Sequence, residues 1–195
     1  WREKFPNSGS IHEIKGRTVG LIGFGTIGHL VADLLQAFHV KLLIYDPYAR
    51  EEEIREKQGT PVSLEELLGE SDIVSMHARV SDTSRGMMGE EQFRMMKKTA
   101  VFINTARSPL IDMKALYRAL KEGWIMGAAI DNYDVEPIEE DNPLLTLDNL
   151  TFSCHKSGDT VEAFADSPAM VLAEAEKFFH GERPRFLMNP QVLEK

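Results

Sequence analysis

From residue 18 onward, short continuous apolar runs alternate with segments in which apolar residues recur every three or four positions. That alternation is the pattern of a parallel sheet covered by helices on both faces, because strands buried on two sides need no polar face of their own. Strands are predicted near 18–23, 41–45, 72–76, 100–104, 126–130 and 150–153, with the helices between them. Helix one is expected over about Thr26–Phe38, with Ile27, Leu30, Val31, Leu34, Leu35 and Phe38 as an apolar stripe that packs on the sheet. A mostly charged, exposed helix follows over about 50–58, and Ser63-Leu-Glu-Glu66 reads as a capping box that opens a short helix stopping near Gly69. Further helices are expected over Glu90–Met96, Asp112–Glu122 (ended by Gly123) and Asp159–His180. The fold class is therefore α/β, a doubly wound parallel sheet (Rossmann fold) in a single domain. Its predicted parts are a lead-in over 1–15, the sheet-bearing domain over 16–158, and a C-terminal helix and tail over 159–195.

The first strand and helix are joined by Val19-Gly-Leu-Ile-Gly-Phe-Gly-Thr-Ile-Gly28, in which Gly23, Gly25 and Gly28 match G-x-G-x-x-G. The first glycine makes the tight turn, the second lets a pyrophosphate approach the backbone, and the third lets helix and strand pack closely. Phosphate then sits at the helix N-terminus on free N–H groups. Asp46 stands eighteen residues past Gly28 at the end of Leu42-Leu-Ile-Tyr-Asp46, where a carboxylate can accept from both ribose hydroxyls and repels a 2′-phosphate. NAD is thus expected over NADP, with Arg50 the one nearby residue that could soften the preference. The bland alternative is a tight turn at Gly25 and a carboxylate at Asp46 that only caps the turn at Pro47.

Three residues beyond that turn carry candidate chemistry. Arg107, in Asn104-Thr-Ala-Arg107, follows the strand 100–104 at the carboxyl edge where ligands bind open α/β sheets, and its planar fork suits a carboxylate. His155 follows Leu150-Thr-Phe-Ser-Cys154 at the same edge, and Glu136 lies beyond strand 126–130 in Asp131-Asn-Tyr-Asp-Val-Glu136-Pro137. A carboxylate beside an imidazole favours the charged ring and fixes its tautomer, so His155 could exchange a proton with a 2-keto/2-hydroxy acid. Singly, Arg107 reads as a solvated loop arginine and His155 as a structural histidine; together at one sheet edge they read as a site. Tyr117 and Lys121 have the Tyr-x-x-x-Lys spacing of short-chain reductases, but at i, i+4 within a helix they read as surface neighbours. Met87, Met88, Met95 and Met96 read as core filler near loops.

Composition narrows the partners. With 43% hydrophobic and 27% charged residues the chain is globular, and no apolar run reaches the length of a membrane span. A formal charge of −9 argues against a nucleic-acid partner. The single cysteine, Cys154, fits a reducing, cytoplasmic compartment and reads as a small core residue rather than as half of a Cys-His pair, because neighbours on a strand face opposite ways. The chain starts at Trp1 without an apolar leader segment and is expected to be part of a longer or processed protein.

Taken together, Gly16-Arg-Thr-Val-Gly-Leu-Ile-Gly23, Asp72-Ile-Val-Ser-Met-His77, Ile103 to Arg107, Asp131 to Pro137 and His155 to Thr160 resemble the NAD-binding domain of the D-isomer-specific 2-hydroxyacid dehydrogenases, over about Lys15–Pro190. That family includes phosphoglycerate dehydrogenase and glycerate or hydroxypyruvate reductases. The resemblance implies Arg107 as the cation that orients substrate, Glu136 as partner of the imidazole, and His155 as acid/base. It implies NAD contacts from Thr26, Ile27, Asp46, Ala78, Thr105, Ala106 and Asp131, no metal, a small 2-hydroxy/2-keto acid as substrate, and a homodimer. It also implies a substrate domain largely absent from this chain, toward which Phe178, Phe179, Phe186 and Leu187 would turn. Two positions depart from the family pattern: Arg79 stands in place of proline, which could alter the loop over the cofactor, and Ser108 in place of a glycine, which could restrict a permissive backbone position. A non-catalytic NAD(H) sensor is the alternative function, disfavoured by the intact trio; a formate-oxidising relative is disfavoured by Glu136, where that branch has an amide.

Overall fold

The computed structural model describes residues 12–187 and 189–193. They fall into two compact units, divided between His155 and Lys156. In the first unit seven parallel strands run in the order β3-β2-β1-β4-β5-β6-β7. They are β1 (Thr18–Ile22), β2 (Lys41–Tyr45), β3 (Gly59–Pro61), β4 (Ile73–Met76), β5 (Val101–Asn104), β6 (Gly127–Ile130) and β7 (Leu150–Phe152), with helices α1 (Thr26–Gln36), α2 (Glu51–Glu56), α3 (Leu64–Glu70), α4 (Glu90–Met95) and α5 (Met113–Lys121) between them. The chain winds outward from β1 to β3, then returns to place β4 on the other side of β1. The carboxyl ends of β1 and β4 therefore flank the switch point, where open α/β sheets bind ligands.

The six predicted strands are present, and β3 is an addition. It is three residues long, Gly-Thr-Pro, paired in register Leu42↔Gly59 to Ile44↔Pro61 at the sheet edge. Proline is tolerated there because an edge strand can spare one N–H, and so short a run carries no periodicity to read.

Helix α1 corrects the expected stripe. Gly28 and Ala32 are its buried residues, flanked by Val31 and Leu35 against the cluster of Val19, Leu21 and Ile44. Leu30 and Leu34 face outward, Phe38 past the end of the helix is exposed as well, and exposed Ile27 stands at the cleft; Leu34 is 69% exposed and Phe38 50%. The cause is a close backbone approach: a Cβ on Gly28 would stand 2.5 Å from the Gly23 carbonyl oxygen. Only the glycine face can come that near, so the helix centres Gly28 and Ala32 on the sheet, with Val31 and Leu35 at the flanks and Leu30 and Leu34 outside.

On the other face, Phe93 of α4 meets Phe102 of β5 edge-on, ring centroids 5.3 Å apart, within a core that includes Leu67, Leu68, Met88, Met96 and Leu116. Each such side chain contributes about 1.5–3 kcal/mol by leaving water. Met87 packs on that core, whereas Met95 is exposed on the outer side of α4, so the filler reading fails for Met95 alone. Ser63 caps α3 by accepting the Glu66 N–H at 3.1 Å, the serine half of the expected capping box.

In the second unit α6 (Val161–Phe179) is capped by Thr160, which accepts the Ala163 N–H. Glu174 draws the following tail back onto the helix by accepting from the backbone N–H of Arg185 and of Phe186. Phe164, Phe178, Phe179 and Phe186 are exposed.

Candidate active site

The turn after β1 is built for a ligand. Gly23 has φ +98°, a conformation that favours glycine, and a Cβ there would meet the Ala78 nitrogen at 2.5 Å. A Cβ on Gly25 would meet nothing within 4 Å, because Gly25 opens onto a cleft. Gly25 caps α1 without a side-chain hydrogen bond, and the first turn holds no acid. Its free N–H groups are left for an anion. Asp46 does two jobs at this place: one carboxylate oxygen accepts the Phe24 N–H at 2.7 Å and the other the Tyr48 N–H at 2.8 Å. Arg50, four residues past Asp46, is paired with Glu53 (Nε to Oε1, 2.9 Å) and is not among the residues that line this cleft.

Two cavities meet along the carboxyl edge of the sheet. The outer one, about 780 Å³, is lined by Gly23, Gly25, Asp46 and Tyr48; the inner one, about 490 Å³, by Ile27, Thr105, Ala106 and Arg107. His77 and Ala78 line both. His77 had no role in the sequence reading; burial lowers its imidazole pKa below 6.5, and its Nε2 lies 3.0 Å from the Ser75 hydroxyl. Its place at the end of the Asp72–His77 motif was the signal for it.

Buried Asn104 shapes the loop that carries Arg107. Its side-chain oxygen accepts the Ala106 N–H at 3.0 Å, and its amide donates to the Arg107 carbonyl at 3.0 Å. The Arg107 guanidinium donates to the Ala106 carbonyl at 2.6 Å. Ser108 starts a 3-10 turn (Ser108–Leu110) and is not among the residues with positive φ, so serine restricts nothing there.

After β6 and β7 the chain brings Glu136 and His155 together. His155 Nδ1 lies 2.8 Å from one Glu136 oxygen, and the other oxygen accepts the Tyr133 N–H at 3.0 Å. The hydrogen bond to His155 and then that N–H lower the Glu136 pKa from 4.5. His155 itself has φ +54°, a left-handed conformation. Tyr133 donates its hydroxyl to the Ser153 carbonyl at 2.7 Å, and the Ser153 hydroxyl donates to buried Asp131 at 2.6 Å. These bonds tie the 131–136 loop to the end of β7, a link that loop composition does not reveal. Because β7 ends at Phe152, Cys154 has left the sheet and is exposed, contrary to the core reading. Arg107 lines the inner cavity, whereas Glu136 and His155 are not among its lining residues. Tyr117 and Lys121 bond to each other at 2.8 Å on α5, as surface neighbours.

Residues 1–157 match the family described as D-isomer specific 2-hydroxyacid dehydrogenase, NAD binding domain. The chain belongs to that family. It is 42% identical over 182 residues to a glyoxylate reductase of Korarchaeum cryptofilum, covering 93% of this chain and 55% of the relative. A D-3-phosphoglycerate dehydrogenase of Methanocaldococcus jannaschii is 39% identical over 179 residues, 91% of this chain and 34% of the relative. Among solved structures, the NAD-complexed D-isomer specific 2-hydroxyacid dehydrogenase of Lactobacillus delbrueckii ssp. bulgaricus superposes with a TM-score of 0.81 at 32% identity, over 89% of this chain and 56% of that one. The chain thus spans about a third of that phosphoglycerate dehydrogenase and just over half the length of the other two relatives. NAD is the cofactor of this family domain, and the open cradle at Gly25, the bare α1 N-terminus and the Asp46 carboxylate suit its pyrophosphate and ribose.

Proposed function

We propose that this chain is the NAD-binding half of a dehydrogenase that interconverts a D-2-hydroxy acid and its 2-keto acid, of the size of glyoxylate, hydroxypyruvate, glycerate or 3-phosphoglycerate. Bound NAD supplies the hydride acceptor, and its reduced form the donor. The Gly23, Gly25 and Gly28 turn with Thr26 takes the pyrophosphate, and Asp46 the adenosine ribose. Ile27, Ala78, Thr105, Ala106 and Asp131 form the nicotinamide side. Arg107 orients the substrate carboxylate, turning from the Ala106 carbonyl to the anion, for which its planar fork is better matched.

The observation that carries the chemistry is the 2.8 Å contact between His155 and Glu136. It occupies Nδ1 and leaves Nε2 as the nitrogen that gives a proton to the alkoxide oxygen in reduction and takes it back in oxidation. Proton transfer of this kind contributes about 10²–10⁴ in rate. Residues 16–158 form the cofactor domain, and 159–195 lead toward the substrate domain. The outward face of α1, with Leu30 and Leu34 exposed and exposed Phe38 just past its end, supports a homodimer. No helix among the described residues is long and apolar enough to cross a membrane, and a cytoplasmic location fits the single exposed thiol.

To test the reading, NADH is titrated into this chain, and a protein containing it with its substrate domain is assayed for NADH oxidation with glyoxylate, hydroxypyruvate and phosphohydroxypyruvate. Turnover with one of them that is lost in His155→Ala and in Arg107→Ala is the expected result. Unchanged turnover in either variant removes that residue's role, and no turnover with any of the acids ends the reading.

A further inference from the structure

The wall between the two cavities carries a further cationic side chain. Arg79 lines both, together with His77, Ala78 and Val80. In the outer cavity it is the only lysine or arginine among the lining residues, and Asp46 the only carboxylate. In the inner cavity it shares the lining with Arg107.

Its position on the backbone is closely set. The His77 N–H donates to the Ile22 carbonyl at 2.7 Å, and the backbone of 77–78 lies so near the glycine turn that a Cβ on Gly23 would stand 2.6 Å from the His77 carbonyl carbon. Beyond Arg79 the loop closes on its own hydroxyls: the Ser84 hydroxyl donates to the Arg79 carbonyl at 2.7 Å, and the Ser81 N–H donates to the Ser84 hydroxyl at 2.8 Å. The loop needs nothing from the Arg79 side chain, which is exposed and takes part in no ion pair among the described residues.

We propose that Arg79 binds the pyrophosphate of the dinucleotide, adding a guanidinium from the β4 loop to the N–H groups of the β1–α1 turn. Adenosine belongs with Asp46 in the outer cavity and nicotinamide with Arg107 in the inner one, so the bridging phosphates fall at the shared wall. A guanidinium fork matches two phosphate oxygens. The substrate carboxylate is confined to the inner cavity, where Arg107 already answers it. This inference rests on the dinucleotide-binding part of the proposed function and not on its hydride chemistry.

Calorimetric titration of the unaltered chain, Arg79→Ala and Arg79→Lys with NADH, ADP-ribose and adenosine tests it. Arg79→Ala is expected to raise the Kd for NADH and for ADP-ribose alike, by about tenfold for the loss of a charge-assisted contact, and to leave adenosine unchanged. It should also flatten the dependence of log Kd on log salt, with Arg79→Lys recovering part of the affinity and all of the salt slope. Equal affinities for ADP-ribose in all three proteins overturn the proposal while leaving the dinucleotide reading intact. Unchanged NADH affinity with a raised KM for the 2-keto acid in the two-domain protein also overturns it, and assigns Arg79 to the substrate anion. Failure of the unaltered chain to bind NADH overturns both.

Discussion

Asp46 accepts the backbone N–H of Phe24 at 2.7 Å, across the gap between the end of β2 and the glycine turn. The carboxylate that would select the cofactor's ribose is thus also a fastening of the turn that receives its phosphates. Selectivity and phosphate binding share one side chain.

Substituting Asp46 will therefore not yield a clean exchange of NAD for NADP. Asp46→Ala leaves a half-buried N–H without its acceptor, at a cost of about 1–3 kcal/mol, and is expected to weaken NADH and NADPH together. Asp46→Asn keeps an acceptor and removes the charge, so its melting temperature should stay near that of the parent while its preference for NADH narrows. Thermal melts and paired titrations with the two cofactors check this.

Gly28 tolerates no side chain. A Cβ there would press on a backbone oxygen at 2.5 Å, which cannot swing aside as a side chain would. Gly28→Ala is expected to lose about 1–3 kcal/mol in urea unfolding and to bind NADH more weakly, because α1 must back away from the turn. Leu34→Lys, on the outward face of the same helix, should leave both unchanged; sedimentation of the parent beside this variant tests the proposed homodimer, which predicts a dimer for the parent and a monomer for the variant.

The Glu136–His155 pair gives a pH dependence of definite sign. The Glu136 pKa lies below 4.5 in the folded chain, through the His155 hydrogen bond first and the Tyr133 N–H second. Whatever stability this contributes is present above the ordinary value, near 4.5, and is lost as pH falls through the depressed one. Melting temperatures of Glu136→Gln should lack that acid-side component. In the two-domain protein the same variant should reduce turnover by about 10², with NADH affinity retained.

His77 acts in the same direction nearer neutrality. Burial lowers its pKa below 6.5, so the unfolded chain takes up the proton first as pH falls. Stability is full above 6.5 and declines as pH drops through the folded value. His77→Asn is expected to flatten the melting curve across that interval.

Local chemistry made much of this molecule legible in one dimension. Strand-length apolar runs marked six of the seven strands, and Ser63 and Asp112 announced helix starts that they do cap. The glycine spacing with Asp46 marked the ligand turn because a tight turn, a close approach and a ribose acceptor each demand a residue type at a set distance. Tertiary structure alone decided which face of α1 is covered, since periodicity reveals that a helix has an apolar stripe but not that a neighbouring carbonyl at Gly28 will admit only the small-residue face. It alone took Cys154 out of the sheet and gave Asp46 its second duty at Phe24, and it set the 2.8 Å geometry of the Glu136–His155 pair that the family resemblance implied. Those outcomes depend on where separate strand ends stop and on which backbone groups they meet, and such distances exist only once the sheet is assembled.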